Sequence, residues 1–204
     1  MKNTFTYIDG FNLYNGMMDE NNYIPGDPSP IPLRKYLWLN LHDLILSYLP
    51  LDYKISKLYY FTSPILNDEP AKKRQQVYWK AIKRIPGADI QLGKFKPSGN
   101  STAEKQTDVK IALQMYCDAL ENDDICMVLM SGDSDQVPTL KRIIGLKKNI
   151  ELYVLFPPSR VSEDLRDLIP NHCSIGYKHL RAYQFPDVIH RGNAPDIIRP
   201  IEWT

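Results

Sequence analysis

The sequence predicts an α/β protein in which a mostly parallel sheet of about five strands lies between two layers of helices. Strand and helix patterns alternate along the chain, which is typical of strand–helix–strand units with right-handed crossovers. The run 125–130 is apolar throughout, as in a central strand covered on both faces. The length of 204 residues and the hydrophobic content of 43% suit one domain with a full core. We therefore expect a three-layer α/β/α fold with strand order 3-2-1-4-5.

The first quarter of the chain begins with a strand pattern at residues 4–9, followed by a short helical turn at 12–18. The segment 19–32 is rich in Asn, Asp, Pro and Gly, so we expect a loop there. Leucines and other apolar residues then recur at helical spacing and predict a helix at 33–48.

The second quarter adds two strands and a helix. A second strand is expected at 55–62, and a helix at 70–85 begins with a proline, which suits the first helical turn. A third strand follows at 89–95, and the polar residues 96–102 predict a flexible loop.

The second half repeats the alternation. Apolar spacing predicts a helix at 107–121, with a buried stripe formed by Val109, Ala112, Leu113, Tyr116 and Leu120. Further elements are then expected in this order: a strand at 125–130, a helix at 136–146, a strand at 150–156, a helix at 162–168, an edge strand at 173–175 and a helical turn at 177–182. We expect one domain at 1–182 and a tail at 183–204 that is either packed on this domain or disordered.

Composition argues against a membrane or secreted protein. No apolar stretch approaches the ~20 residues that cross a bilayer, and the N-terminus enters a strand pattern at once, so we expect no signal peptide. The three cysteines, Cys117, Cys126 and Cys173, lie far apart among apolar residues and are expected to be buried thiols in a reducing cytoplasm. The net charge of +1 neither favours nor excludes a nucleic-acid partner.

Four aspartates occur where strands end or helices begin. Asp9 closes the first strand, and Asp133 and Asp135 follow the fourth. In order 3-2-1-4-5, strands 1 and 4 are neighbours at the switch point, where ligands of α/β sheets bind. Asp108 lies in the first turn of the helix before strand 4, at the same edge. We therefore expect all four carboxylates in one crevice, although each alone is common turn or cap chemistry.

Clustered carboxylates repel one another unless a cation lies between them, and Mg²⁺ and Mn²⁺ prefer oxygen ligands. The four histidines have no zinc-like spacing. One or two hard cations would activate water and stabilise charge on a phosphodiester. Five further residues are candidates for supporting the metal or a phosphate: Asn12, Ser131, Ser134, Glu104 and Lys105. Ser134 is equally suited to cap the next helix.

Three segments together resemble the NYN domain, a PIN-like group of nucleases, with the bacterial LabA-like branch closest. These segments are Tyr7–Tyr14, Lys105–Val109 and Leu129–Asp135. The resemblance implies a PIN-like sheet and a metal-dependent ribonuclease site built from Asp9, Asp108, Asp133 and Asp135, with Asn12 as polar companion. Gln136 stands where the family often has a bulky hydrophobic residue, and residues 19–32 and the tail are not explained by the family.

The leading hypothesis is thus a Mg²⁺- or Mn²⁺-dependent nuclease that cleaves single-stranded RNA. A basic track for phosphates is expected along Lys72, Lys73, Arg74, Lys94, Lys96 and Lys105. Phe11 or Tyr14 could stack a base, although aromatic residues there are more often core. The oligomeric state and any regulatory protein partner are open.

Two other functions are compatible with the sequence. One is an RNA-binding regulatory module without significant turnover, against which the intact acidic set argues. The other is a phosphohydrolase of the haloacid dehalogenase type, because Asp133 to Val137 has the shape DxDxV after an apolar strand. That family places its motif on the first strand, whereas here it follows the fourth.

Overall fold

A parallel sheet forms the centre of the molecule and confirms the predicted fold class. The computed structural model describes residues 1–98 and 101–204, and only the backbone of residues 94–98 and 101–105. In this part of the chain, the main sheet consists of six strands, β1 (Lys2–Asp9), β2 (Tyr53–Thr62), β3 (Ala88–Leu92), β6 (Asp124–Met130), β7 (Asn149–Phe156) and β8 (His172–Ser174). They pair in the order β3-β2-β1-β6-β7-β8, and all neighbours are parallel. The predicted order is therefore correct, and the expected edge strand, β8, extends it.

Helices cover both faces of the sheet because alternate residues of each strand point to opposite sides. Ile8 of β1 belongs to one apolar core and its neighbour Tyr7 to the other. The helices are α1 (Gly10–Met17), α2 (Leu41–Leu46), α3 (Glu69–Ile82), α4 (Thr107–Glu121), α5 (Val137–Ile144), α6 (Glu163–Leu168) and α7 (Tyr177–Ala182). Helices α1, α2, α3 and α7 pack on the Ile8 side, and α4, α5 and α6 pack on the Tyr7 side. In the described residues, no helix is both long and apolar enough to cross a membrane.

The predicted helix at 33–48 is wrong. A 3-10 turn at Arg34–Tyr36 and the separate helix α2 take its place. Between them, Leu39 forms an isolated antiparallel bridge to Gln184. Asn40 then caps α2, because its side-chain oxygen accepts a hydrogen bond from the Asp43 N–H at 3.3 Å. Pairing with the C-terminal segment thus interrupts a helix that the apolar spacing favoured.

The predicted flexible loop at 96–102 is also wrong for the residues described there. Strands β4 (Lys94–Ser98) and β5 (Ser101–Lys105) form an antiparallel pair separate from the main sheet. The predicted third strand is therefore divided at Gly93 between β3 and β4.

Helix α4 presents a different face from the predicted stripe. Its buried residues include Ile111, Met115 and Ala119, whereas Val109 and Leu113 are 60% and 59% exposed. Residues 111, 115 and 119 share one side of a helix, as 109, 113, 116 and 120 share another. The side with residues 111, 115 and 119 packs against the sheet, and Asp118 is buried on that side.

The cysteines only partly match their prediction. Cys126 is buried in the central strand β6, but Cys117 and Cys173 are exposed free thiols. Cys117 belongs to α4, and its exposure follows from the same helix rotation.

The C-terminal segment contributes to the core on the Ile8 side. Strands β9 (Val188–Arg191) and β10 (Ala194–Ile198) form a hairpin, and a 3-10 turn at Ile201–Trp203 follows. Trp203 is buried, with its ring 6.3 Å from that of Trp38 and 6.0 Å from that of Tyr78. A domain boundary at residue 182 remains a prediction.

Candidate functional site

Three carboxylates meet at the carboxyl edge of the sheet. Asp9 is the last residue of β1, and Asp133 follows β6, the strand paired with β1. Asp108 lies in the first turn of α4, whose N-terminus faces the same edge. One oxygen from each of Asp9, Asp108 and Asp133 lies within 4.8 Å of the other two. The structure therefore brings three of the four predicted aspartates into one cluster.

Asp9 lies deepest, at 5% exposure. It caps α1, since its Oδ1 accepts a hydrogen bond from the Asn12 N–H at 2.9 Å. Its Oδ2 accepts a hydrogen bond from the Ser131 hydroxyl at 3.1 Å. Burial raises the pKa of Asp9 to about 6, and the charges of Asp108 and Asp133 act in the same direction against these two hydrogen bonds.

Asn12 and Ser131 fix the loop that carries Asp133. The Asn12 Oδ1 accepts a hydrogen bond from the Gly132 N–H at 2.9 Å, and the Ser131 Oγ accepts one from the Asp133 N–H at 3.1 Å. The Asp133 Oδ1 in turn accepts the Asp135 N–H at 2.9 Å. Asn12 and Ser131 therefore connect the ends of β1 and β6 and orient two of the carboxylates.

A close backbone contact, which the sequence did not indicate, supports this loop from outside. A Cβ added to Gly132 would lie 2.1 Å from the carbonyl oxygen of Arg160. Only glycine leaves room for that approach. Arg160, in the segment after β7, thus lies directly against the loop that holds Asp133.

Asp108 and Asp135 lie on the solvent side. Partial burial raises the pKa of Asp108, and the carboxylates of Asp133 and Asp135 raise it further. Gln136 is buried, and its Nε2 donates a hydrogen bond to the Asp108 carbonyl oxygen at 3.3 Å, which positions the start of α4. Asp135 is exposed and does not belong to the group of three, but its negative charge raises the pKa of Asp108.

A comparison with family models matches the NYN domain over residues 7–175. The chain belongs to the NYN domain family. This family places it in the superfamily of PIN-like nucleases. The haloacid dehalogenase alternative loses its basis, because the DxDxV segment belongs to the NYN match and follows β6.

One similar solved structure has the same fold. It is a protein of unknown function from Vibrio parahaemolyticus, 20% identical, with a TM-score of 0.57 over 86% of this chain and 93% of that chain. No curated protein matches the sequence of this chain.

The donor set of this NYN domain fits a hard divalent cation. Oxygens around Mg²⁺, each at about 2.0–2.1 Å from it, are about 3–4 Å apart, close to the spread of the three aspartate oxygens. The ligands are all carboxylates, which Mg²⁺ and Mn²⁺ accept. Burial, and after it the charges of neighbouring carboxylates, raise the pKa values of Asp9 and Asp108, and a bound cation would favour their charged forms.

The remaining predicted residues fall into three groups. Ser134 is exposed and does not cap a helix; Asp133 caps the 3-10 turn Ser134–Gln136 instead. Lys72, Lys73 and Arg74 lie in the first half of α3, where Lys72 pairs with Glu69 and Arg74 with Glu202, each at 2.9 Å, while Lys73 is exposed. The side chains of Lys94, Lys96, Glu104 and Lys105 lie outside the described part of the chain.

Proposed function

We propose that this NYN domain is a Mg²⁺- or Mn²⁺-dependent ribonuclease that hydrolyses single-stranded RNA. The observation that carries the proposal is the group of three aspartate oxygens within 4.8 Å of one another, at the switch point of the sheet. Membership in a family of PIN-like nucleases supports phosphodiester cleavage. RNA as the substrate is part of the proposal.

Asp9, Asp108 and Asp133 would hold the cation, and each has a distinct setting. Asp9 is fixed by two hydrogen bonds in the interior, Asp133 by its loop, and Asp108 by the start of α4. When bound, the cation lowers the pKa of the attacking water and offsets charge on the phosphate. We assign Asp135, exposed beside them, the task of orienting that water.

The reaction is a hydrolysis. The oxygen of water forms a bond to phosphorus, and the bond from phosphorus to the leaving ribose oxygen breaks. One proton of water finally passes to the leaving oxygen, so the products end in a phosphate and a hydroxyl. The exposed rim occupied by Asp108 and Asp135 leaves room for a strand to approach.

The test compares wild type with Asp133→Asn on labelled single-stranded RNA, double-stranded RNA and single-stranded DNA during Mg²⁺ and Mn²⁺ titrations. Loss of a residue that only orients a ligand costs 10–100-fold, so loss of a ligand should lower kcat/KM by about 100-fold or more. Asp52 is an exposed aspartate just before β2, so Asp52→Asn is the matched control and should cleave normally.

Two results would contradict the proposal. The first is cleavage by wild type in EDTA, and the second is undiminished cleavage by Asp133→Asn. RNA binding without turnover at any metal concentration would instead support the RNA-binding module.

A further inference from the structure

A cavity of about 90 Å³ adjoins the aspartate cluster on the Ile8 side of the sheet. Gly10, the residue after Asp9, lines it together with Tyr60 and Thr62 at the end of β2. Gly10 also touches Tyr60 closely, since a Cβ added there would lie 2.8 Å from the Tyr60 Oη. The cavity and the cluster thus lie on either side of one strand end.

Helix α1 lies between the two sites and contributes side chains to both. Asn12 points to the loop of Asp133, where it accepts the Gly132 N–H. Phe11 and Tyr14, three residues apart and therefore on one side of the helix, line the cavity. Tyr14 is 39% exposed, although a tyrosine that only filled the core would be buried.

The cavity has aromatic walls and is larger than a water site. Tyr78 and Trp203 also line it, with their ring centroids 6.0 Å apart. On the same measure a single water needs about 10–15 Å³, so the space of about 90 Å³ suits a planar ring. Aromatic side chains on which bases stack are the usual feature of single-strand binding sites.

Two arginines line the same cavity. Arg74 is paired with Glu202 at 2.9 Å. Arg34 is half-buried and forms no ion pair within 4.0 Å among the residues that the structure describes. Two guanidinium groups against one carboxylate leave a net positive charge, and a guanidinium matches the geometry of a phosphate.

We infer that this cavity binds one nucleobase of the substrate strand next to the scissile phosphate, with Arg34 contacting a backbone phosphate. The inference rests on the proposed function and deepens it. Arg34 comes from the segment between α1 and α2, and Trp203 from the C-terminal turn. Trp203 lies beyond the NYN match over residues 7–175, so the C-terminal segment of this chain adds a wall to the site that the family match does not cover.

The first test scans a short RNA with one abasic nucleotide at each position. Wild type should lose about tenfold or more in kcat/KM when the abasic unit falls at the one position served by the cavity. Tyr14→Ala should lose a similar factor on intact RNA and become insensitive to that abasic unit. Tyr177→Ala is the matched control, because Tyr177 is 37% exposed and does not line the cavity. A flat scan, or full sensitivity retained by Tyr14→Ala, overturns the inference.

The second test does not depend on cleavage. Fluorescence anisotropy with Asp133→Asn in EDTA should show tighter binding of the intact strand than of the abasic strand, and Arg34→Gln should weaken binding and reduce its salt dependence. If binding depends on the base but wild type never cleaves RNA, the base site is supported and the nuclease proposal is wrong. If wild type cleaves RNA but neither assay depends on the base, the nuclease proposal is supported and the base site is wrong. If there is neither cleavage nor base-dependent binding, both proposals are wrong.

Discussion

Asp9 illustrates at the scale of one residue how a site for a cation costs stability when no cation is bound. Its folded pKa is about 6, whereas an unfolded chain has a value near 3.9. Between these values the folded protein binds more protons than the unfolded chain, so stability falls as pH rises from about 4 to 6 and stays lower above. Two pKa units correspond to about 3 kcal/mol, because one unit is about 1.4 kcal/mol.

Asp9→Asn should therefore raise the free energy of unfolding by about 1–3 kcal/mol at pH 7.5 in EDTA. Asparagine keeps an oxygen that can accept the Asn12 N–H, and its amide nitrogen can donate to the Ser131 Oγ in place of the bond that the Asp9 Oδ2 accepts. Most of the gain should vanish near pH 4, where Asp9 is protonated in the folded protein and about half protonated in the unfolded chain. Urea unfolding of both proteins from pH 4 to 7.5 measures this, with Asp52→Asn as the surface control. A difference that does not change with pH would contradict the assignment of the cost to the Asp9 charge.

At the scale of elements, α4 is held to the sheet by a buried polar network. Asp118 is 1% exposed and accepts hydrogen bonds from the Tyr7 hydroxyl at 2.9 Å and from Lys57 Nζ at 3.2 Å. Gln114 adds a third donor at 3.1 Å. Tyr7 and Lys57 lie on β1 and β2, so one carboxylate connects the helix that carries Asp108 to two central strands.

Asp118→Ala should lower the free energy of unfolding by about 2–4 kcal/mol, because it leaves the buried Tyr7 hydroxyl without its acceptor and removes the partner of Lys57. Glu121→Ala, on the exposed side of the same helix, should change it by less than about 0.5 kcal/mol. Chemical denaturation checks both. Equal stability of the two variants would show that the network contributes nothing net.

The sequence predicted those elements whose signal is local. The alternation of strand and helix patterns and the uniformly apolar run of β6 predicted the parallel sheet, and the aspartates at the ends of β1 and β6 and at the start of α4 predicted the cluster of Asp9, Asp108 and Asp133. Helix α4 shows why other predictions failed. Two of its sides carry apolar residues, and Asp118 made the side that is buried look like a solvent-facing one. Only the structure shows that Tyr7 and Lys57 bind this carboxylate. The interrupted helix at 33–48 likewise depends on pairing with Gln184, and the support of Gly132 depends on Arg160.

At the scale of the whole molecule, the last segment of the chain completes the core beside the candidate site. Phe185 donates its backbone N–H to the Trp38 carbonyl oxygen at 2.9 Å, and the Trp38 indole donates to the Pro186 carbonyl oxygen at 3.0 Å. Arg199 donates hydrogen bonds to the carbonyl oxygens of Lys35 and Trp203. The segment thus joins the α1–α2 connection to α3, where the walls of the cavity lie.

A chain ending at Ala182 should consequently fail to fold as a stable unit. Loss of one buried tryptophan costs about 3–5 kcal/mol, and this deletion also removes Phe185 and Ile197 from the core, whereas whole domains are stable by only about 5–15 kcal/mol. A chain ending at Trp203 lacks only the exposed Thr204 and should unfold as wild type does. Trp203→Ala tests the same point in full length, with an expected loss of about 3–5 kcal/mol in urea unfolding followed by circular dichroism. If residues 1–182 unfold cooperatively at the wild-type midpoint, the segment is an appendage and the cavity walls it supplies are dispensable for the fold.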